Sequence, residues 1–245
     1  MTTDADARYF FVHVMKTAGA TFRQHVRANV PPGAFYPTRQ TEVDVRAANY
    51  EIEYLLSLPV ERKRQIRAYT GHFPFFVTDL VQGDFVTITM LRDPVDRVIS
   101  YLKHAQMHHD RHRDWPLEKI YEDRFYFECF MWNHQVKIFA MTPGDRVSSY
   151  MDVIEIDDRR LEIAASSLDR VDVWGFTDRL GELHDELTAR FGWRFGPVPD
   201  RRVAPPADVP PSLRRRIVRD NAADLEFHER ARARYESRRR SGSRT

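Results

Sequence analysis

The chain has 245 residues, of which 42% are hydrophobic and 30% charged, and its formal net charge is only +2. This length and composition predict one soluble globular domain spanning residues 1–245. With a single cysteine, no signal-like apolar segment and no long apolar run, the sequence argues against a disulfide-stapled, secreted or membrane-spanning protein, and we expect it in the cytoplasm.

Positive charge is concentrated at the C-terminal end. Residues 230–245 contain seven arginines and one glutamate, a net charge of +6, so the preceding residues sum to −4. A basic tail can bind nucleic acid or anionic surfaces. We interpret it instead as the solvated, fraying and partly disordered end of a helix, because termini disorder readily and the body of the chain is not basic. We therefore expect no nucleic-acid partner.

Apolar runs and helix breakers predict strands that alternate with helices. In chain order the predicted elements are strand 8–14, helices 20–29, 42–57 and 59–67, strands 68–71 and 85–91, helices 94–109, 124–140 and 158–168, strand 171–174, helix 178–191, an extended proline-rich segment 193–211, and helices 212–219 and 221–238. Asp93-Pro94 is a strong helix start, because Asp can cap exposed amides and Pro fits the first helical position.

This order of elements predicts an α/β fold: a P-loop-like three-layer sandwich with a central, mostly parallel sheet flanked by helices. Sheets of this kind bind ligands at the carboxyl ends of their strands. Three polar segments directly follow predicted strands, namely His13 to Thr21, His72 and Arg92. We expect these segments to form one site.

The first of these segments has the layout of an anion-binding turn. In YFFVHVMKTAGATFRQHVRANV, residues 9–30, an apolar strand leads through a turn with a lysine into an amphipathic helix. Backbone N–H groups and the helix dipole favour an anion there, and Lys16 adds a full charge. The G-x-x-x-x-G-K-[ST] pattern of an ATP-binding loop is absent. An ordinary turn with an exposed lysine is the alternative.

The segment LRDPVDRVIS, residues 91–100, supplies a second candidate for phosphate binding. Arg92 leaves a strand where the ligand cleft should open, and its planar guanidinium suits phosphate. Ser100 lies two helical turns further, where its hydroxyl would face the cleft or bond to the helix carbonyl at position 96. Arg97 would face the cleft or pair with a surface acid.

Together, FVHVMKTAGATF, GHFPF and TMLRDPVDRVISYL resemble the sulfotransferases, especially the branch with the heparan-sulfate 2-O-sulfotransferases and many bacterial relatives. The lysine loop is similar to the loop that binds the 5′-phosphosulfate of 3′-phosphoadenosine 5′-phosphosulfate (PAPS), and RDPxxRxxS to the segment that holds its 3′-phosphate. WNHQVKIFA, WGFTDRLGELHDELTARFGW and DNAADLEFHERARARYE extend the resemblance over nearly the whole chain, although only the first two motifs are specific. Relatives commonly have proline at Met15 and often Thr or Ser at Ala20.

The resemblance implies transfer of the sulfuryl group of PAPS to a hydroxyl, less often an amine, of a carbohydrate or small-molecule acceptor. Adenosine 3′,5′-bisphosphate would be released, and no metal would be required. The residues that would bind the donor are Lys16, Thr17, Ala18, Gly19, Ala20, Thr21, Phe22, Arg92 and Ser100. Lys16 would also act in catalysis.

His72 matches the histidine of the family's Gly-His dipeptide, which acts as the base in the heparan-sulfate branch. The alternative is a histidine that is hydrogen-bonded beneath the cleft. His13 is the second candidate, although we expect it to point into the strand layer. Asn133 and Gln135 are similar to the family's N-x-Q pair, which predicts a place near the acceptor; they would otherwise be interior hydrogen-bonding groups.

His104, His108 and His112 are spaced to share one face of a helix, which is a geometry that can hold a metal. No cysteine or carboxylate framework accompanies them. We therefore interpret them as a solvated or substrate-facing stripe.

Two other functions compete with sulfuryl transfer. A nucleotide kinase would use Lys16-Thr17 as its phosphate-binding pair and Asp93 as its magnesium ligand. A non-catalytic nucleotide- or nucleic-acid-binding module would rely on the basic residues 230–245. Against the kinase, this chain lacks the glycines of an ATP-binding loop, and Asp93 is better explained as a helix cap.

Overall fold

The fold is built on a parallel β-sheet, seen in a computed structural model that describes residues 7–196 and 209–242. The five strands of this sheet are β1 Tyr9–Val12, β2 Phe35–Tyr36, β3 Ala68–Tyr69, β4 Val86–Leu91 and β5 Val173–Phe176. Their order is β2-β3-β1-β4-β5, and every neighbouring pair is parallel. The predicted α/β sandwich is confirmed. The short edge strand β2 was not predicted, because two residues carry no readable alternation.

Helices cover both faces of the sheet. In chain order they are α1 Gly19–Asn29, α2 Val45–Tyr50, α3 Ile52–Ser57, α4 Val60–Gln65, α5 Val77–Leu80, α6 Pro94–His108, α7 Leu117–Glu122, α8 Arg124–Tyr126, α9 His134–Ala140, α10 Asp158–Asp169, α11 Leu180–Phe191, α12 Pro211–Asp220 and α13 Ala222–Gly242. Among the described residues, none of these helices has the length and apolar character needed to cross a membrane.

The side chains of β1 alternate between two hydrophobic cores. Phe10 and Val12 belong to a large core that includes residues of α6, α9, α10 and α13. Tyr9 and Phe11 belong to a smaller core with α1, α11 and Trp193. Because successive side chains of a strand point to opposite faces, this division makes three layers with the sheet in the middle. Both faces of β1 are buried, which explains its unbroken apolar sequence.

The predicted helix 42–57 is wrong as one continuous element. It divides into α2 and α3 at Glu51, which forms an antiparallel β-bridge with Ser149. The N–H of Ile52 donates to the carbonyl of Ser148 at 2.9 Å instead of continuing the helix. A distant segment therefore breaks a helix whose local apolar spacing is unbroken.

The predicted helix 124–140 is also interrupted. It consists of α8, a π-helical turn over Phe127–Met131 and then α9, which begins after Asn133 with a left-handed φ of 40°. Arg97, which is fully buried, donates to the carbonyls of Phe130 and Met131 at 2.9 and 2.8 Å. Arg97 thus holds the end of this turn, and the expectation that it faces the cleft or pairs with a surface acid is wrong.

A second buried cation, Lys137, stabilises the same turn. Its Nζ donates to the carbonyls of Glu128 and Cys129 at 3.2 and 2.8 Å. Burial lowers the pKa of Lys137 to about 8. Carbonyls at a helix C-terminus lack intrahelical partners and carry partial negative charge, so cations are favoured there.

The C-terminal end of the described chain is an ordered helix. α13 continues through Gly242, and its residues Ala231 and Tyr235 are buried, with the Tyr235 ring 5.6 Å from that of Trp174 in β5. This differs from the fraying end expected from residue 230 onwards. Of the predicted extended segment, residues 193–196 and 209–210 are irregular, and the rest lies outside the described residues.

Candidate functional site

The order of the strands brings three predicted segments to one edge of the sheet. β1 lies between β3 and β4, and all three run in the same direction. The loop after β1, His72 after β3 and Arg92 after β4 therefore emerge side by side. This carboxyl edge is where parallel α/β sheets bind ligands.

Residues 13–18, the Lys16 loop, have a backbone suited to an anion. Lys16 and Ala18 have positive φ angles of 66° and 61°, and Ala18 is the N-cap of α1. The N–H groups of Ala18, Gly19 and Ala20 donate to no described residue. Left-handed residues turn successive N–H groups to one side, and the positive end of α1 adds to their effect. Two non-glycine residues in this conformation also mark a strained turn, as functional sites often show.

Lys16 and the backbone N–H groups, rather than the other loop side chains, are the groups of this loop that could bind a ligand. Thr17 was predicted to bind the donor. Its hydroxyl is instead buried and donates to the carbonyl of Val14 at 2.9 Å. The Phe22 ring is buried in the smaller core, and its N–H donates to the carbonyl of Ala18. Thr21 is half-buried. Burial, followed by the charge of Arg92, lowers the pKa of the half-buried Lys16.

Gly19 is required by a close approach of the His13 ring. A Cβ at position 19 would lie 1.8 Å from Nε2 of His13. The His13 ring also stacks on that of His72, with centroids 3.9 Å apart. His13 therefore lies between the start of α1 and His72, and not only in the strand layer as expected. Burial, followed by the neighbouring His72, lowers the pKa of His13 well below its usual value.

His72 is held as a neutral base. Its Nδ1 lies 3.0 Å from the carbonyl oxygen of His13, and because a carbonyl only accepts, Nδ1 carries the hydrogen. The lone pair is then on Nε2, which makes no hydrogen bond with a described residue. Burial lowers the pKa of His72 to about 4, so the ring is uncharged at neutral pH. It retains 9% exposure, so it is buried but not fully closed off from solvent.

Two tyrosines that were not singled out from the sequence complete the surroundings of His72. The rings of Tyr50 and Tyr150 lie 5.6 and 5.3 Å from the His72 ring, nearly parallel to it. Tyr150 is buried, and its hydroxyl contacts the sulfur of Met15 at 3.3 Å. These tyrosines come from α2 and from the segment that bridges Glu51, so no local pattern marks them.

Arg92 is positioned by Gln135. Its backbone N–H donates to Oε1 of Gln135 at 3.0 Å, and Nε2 of Gln135 donates to its carbonyl at 2.9 Å. Its guanidinium donates to the carbonyl of Lys16 at 3.2 Å, which ties the Lys16 loop to the end of β4. Burial lowers the pKa of Arg92, against the effect of nearby Asp96 and Asp93, yet no described carboxylate forms an ion pair with it.

Gln135 and Asn133 are interior groups and not acceptor contacts, which corrects the expected role near the acceptor. Gln135 is fully buried, with both amide atoms bonded to Arg92. Asn133 is buried; its Oδ1 accepts from the N–H of Asp224, and its own N–H donates to Oδ1 of Asn221. Ser100, in contrast, is half-buried, and its hydroxyl forms no hydrogen bond with a described residue, including the carbonyl at position 96.

The three histidines expected on one helix face divide into different environments. α6 ends at His108, and His112 lies in a following 3-10 turn, fully buried against Trp115 and Tyr126. His104 is half-buried; burial, followed by the Lys16 charge, lowers its pKa to about 4. Within the described residues no group of histidine, cysteine and carboxylate side chains is arranged to hold a metal. Of this set, His104 is the member whose pKa is lowered by the charge of Lys16.

Comparisons of the chain with models of known protein families and with curated proteins found no match. The function is therefore inferred from the site itself. That site combines N–H groups that donate to no described residue, two half-buried cations that form no ion pair with a described carboxylate, and a neutral histidine. Such a combination can hold an anion and accept a proton from a hydroxyl beside it.

Proposed function

We propose that the protein is a sulfotransferase that uses PAPS as donor and a hydroxyl-bearing carbohydrate or small molecule as acceptor. The observation that carries this proposal is the His13 ring, which contacts both Gly19 at the start of α1 and His72. This contact supports the proposal because it brings the start of α1 and the neutral His72 close together. Group transfer from an anionic donor to a hydroxyl needs both parts.

The Lys16 loop and Arg92 fit the two phosphate ends of such a donor. The free N–H groups at residues 18–20 and Lys16 would hold the 5′-phosphosulfate. Arg92 would hold the 3′-phosphate together with Ser100, whose hydroxyl forms no hydrogen bond with a described residue. Arg92 donates a hydrogen bond to the carbonyl of Lys16, so the two phosphate-binding groups are adjacent. One nucleotide would therefore contact both of them.

His72 and Lys16 would divide the chemistry. The bound donor supplies the sulfuryl group, which moves from a phosphate oxygen to the acceptor oxygen. Nε2 of His72 takes the acceptor's proton, and Lys16 stabilises the negative charge left on the phosphate. His72 is suited to this because the carbonyl of His13 keeps its Nδ1 protonated and its Nε2 lone pair free.

The kinase alternative receives less support from the geometry. Asp93 would have to bind magnesium, but its Oδ1 accepts from the N–H of Asp96 at 2.9 Å as the N-cap of α6. The Asp93 carboxylate therefore serves as the helix cap predicted from the sequence.

The direct test is donor binding followed by an acceptor screen. We expect calorimetry in the presence of a chelator to show binding of adenosine 3′,5′-bisphosphate and little binding of ATP. PAPS with a panel of hydroxylated compounds should then give products heavier by one sulfate in mass spectrometry. Tight, magnesium-dependent binding of ATP together with no binding of the 3′-phosphorylated nucleotide would overturn the proposal.

A further inference from the structure

A third cation, Arg23, lines the cleft on the side of β3. It lies four residues after Gly19 and so on the same face of α1, one turn further along. Its Nη1 lies 3.4 Å from Oδ1 of Asn49 in α2, and its guanidinium is 5.5 Å from the centre of the Phe35 ring in β2. The Arg23 side chain therefore extends from α1 towards α2 and the edge strand β2.

Arg23 is half-buried without a compensating anion. No described carboxylate forms an ion pair with it, and the charge of another cation, Arg27, acts on its pKa. Burial, followed by the charge of Arg27, lowers the pKa of Arg23 to about 10, so it remains charged at neutral pH. Partial desolvation of an unpaired charge is unfavourable, and an anionic ligand would remove that cost.

Arg23 belongs to the surroundings of the base rather than to the donor end. Asn49 contacts both groups: its side chain accepts from Arg23, and its carbonyl accepts from the N–H of His72 at 2.7 Å. The Arg23 charge also acts on the pKa of His13 and of His72. Arg92, by contrast, follows β4 on the opposite side of β1.

We propose that Arg23 binds a carboxylate of the acceptor, so that the substrate is a hydroxylated carboxylic acid whose hydroxyl reaches His72. The inference rests on the proposed function and specifies its acceptor. A guanidinium presents two parallel donors that match the two oxygens of a carboxylate, which neither histidine of the cleft can do. Asn49 holds the guanidinium in place from the other side.

The test compares Arg23→Gln with Arg27→Gln. Arg27 is a matched control because it is on the same helix, is exposed and lies 4.6 Å from the same Phe35 ring. The probes are pairs that differ in charge: glycerate against glycerol, and 4-hydroxybenzoate against 4-hydroxybenzamide. Each is titrated into the protein saturated with adenosine 3′,5′-bisphosphate, and its sulfation by PAPS is measured in parallel.

We expect the wild type to bind and sulfate at least one acid in preference to its neutral partner. Arg23→Gln should weaken that acid by about 10- to 100-fold, the range for a hydrogen bond to a charged group, and leave the neutral compound unchanged. Arg27→Gln should change neither. Affinity for adenosine 3′,5′-bisphosphate should stay within about twofold in both variants, which also shows that they fold.

Other outcomes overturn the inference in distinguishable ways. Equal losses for acid and neutral compound would show that Arg23 only positions His72. A loss of adenosine 3′,5′-bisphosphate affinity in Arg23→Gln would place Arg23 at the donor. A wild type that binds this nucleotide but prefers neutral compounds would refute the acidic acceptor alone, whereas a wild type that does not bind it would refute the sulfotransferase itself.

Discussion

The arginines of α13 and the cations of the cleft are in opposite electrostatic situations. The arginines of α13 that form ion pairs with α10, α11 or the turn before α11 are Arg230, Arg232, Arg234, Arg238 and Arg239. In the cleft, the half-buried Lys16, Arg23 and Arg92 have no ion pair with any described carboxylate.

The difference separates charge that belongs to the fold from charge available to a ligand. The pairs on α13 are largely exposed, so each contributes little to stability, yet together they offset part of the positive charge at the basic end of the chain. A module that binds nucleic acid through this end would first have to break them. The cleft cations are desolvated without compensation, which favours an anionic ligand. Composition alone suggests that an anion would bind at α13. The ion pairs favour the Lys16 loop and its neighbours instead, because the cations there have no ion pair with a described carboxylate.

The largest expected effect is the loss of the base within the cleft. His72→Ala should lower turnover by about 10²–10⁴-fold, the range for a positioned acid–base group, while donor affinity remains nearly intact. Lys16→Ala should lower both, because its charge holds the donor and stabilises the leaving oxygen. Single-turnover kinetics with calorimetry separates the two variants. Near wild-type turnover in His72→Ala would make His13 or His104 the next base to test.

A smaller effect should distinguish the two ends of the donor. Arg92→Ala should weaken adenosine 3′,5′-bisphosphate by about 1.5–3 kcal/mol, because a hydrogen bond to a charged group is lost. It should hardly change the affinity for adenosine 5′-phosphate, which lacks the 3′-phosphate. Calorimetry with both nucleotides measures this difference. Equal losses would show that Arg92 acts only through its bond to the carbonyl of Lys16.

The neutral histidine of the cleft should make stability depend on pH. The pKa of His72 is about 4 in the folded protein and about 6.5 in the unfolded chain, so the unfolded state binds more protons between these values. Stability is therefore fully present above about pH 6.5 and is lost as the pH falls towards 4, by at most about 1.4 kcal/mol per pH unit for one histidine.

Urea unfolding of the wild type and of His72→Gln at pH 7, 6 and 5 checks this slope. The variant should lose less stability on acidification than the wild type. Identical slopes for the two proteins would mean that the pKa of His72 is not lowered in the folded state.

The smallest expected effect lies on α13. Arg232→Ala removes an exposed pair with Asp178 and should reduce stability by less than about 1 kcal/mol. It should not alter affinity for adenosine 3′,5′-bisphosphate. Chemical unfolding and calorimetry measure the two quantities. A loss of nucleotide affinity in this variant would contradict the separation between α13 and the cleft.

Local signals in the sequence were sufficient for several elements. The apolar run of β4 and the Asp93-Pro94 start of α6 lie almost where they were predicted, because both depend on neighbours in the chain. The Lys16 loop and His72 were found in the same way, as polar residues directly after strands. The position of Arg23, four residues after Gly19, was also evident from the sequence. The sequence could not show that Arg23 forms no ion pair with a described carboxylate.

Tertiary contacts decided the rest. The sequence by itself determined elements such as β4 and the start of α6, since those depend on local apolar spacing and capping. It could not show that β1 lies between β3 and β4, which is what brings His72 and Arg92 to either side of the Lys16 loop. Nor could it show that Arg97 stabilises a distant π-helical turn or that Gln135 forms hydrogen bonds with the backbone of Arg92. A buried polar group needs a hydrogen-bond partner, and that partner can come from any part of the chain that packs against it.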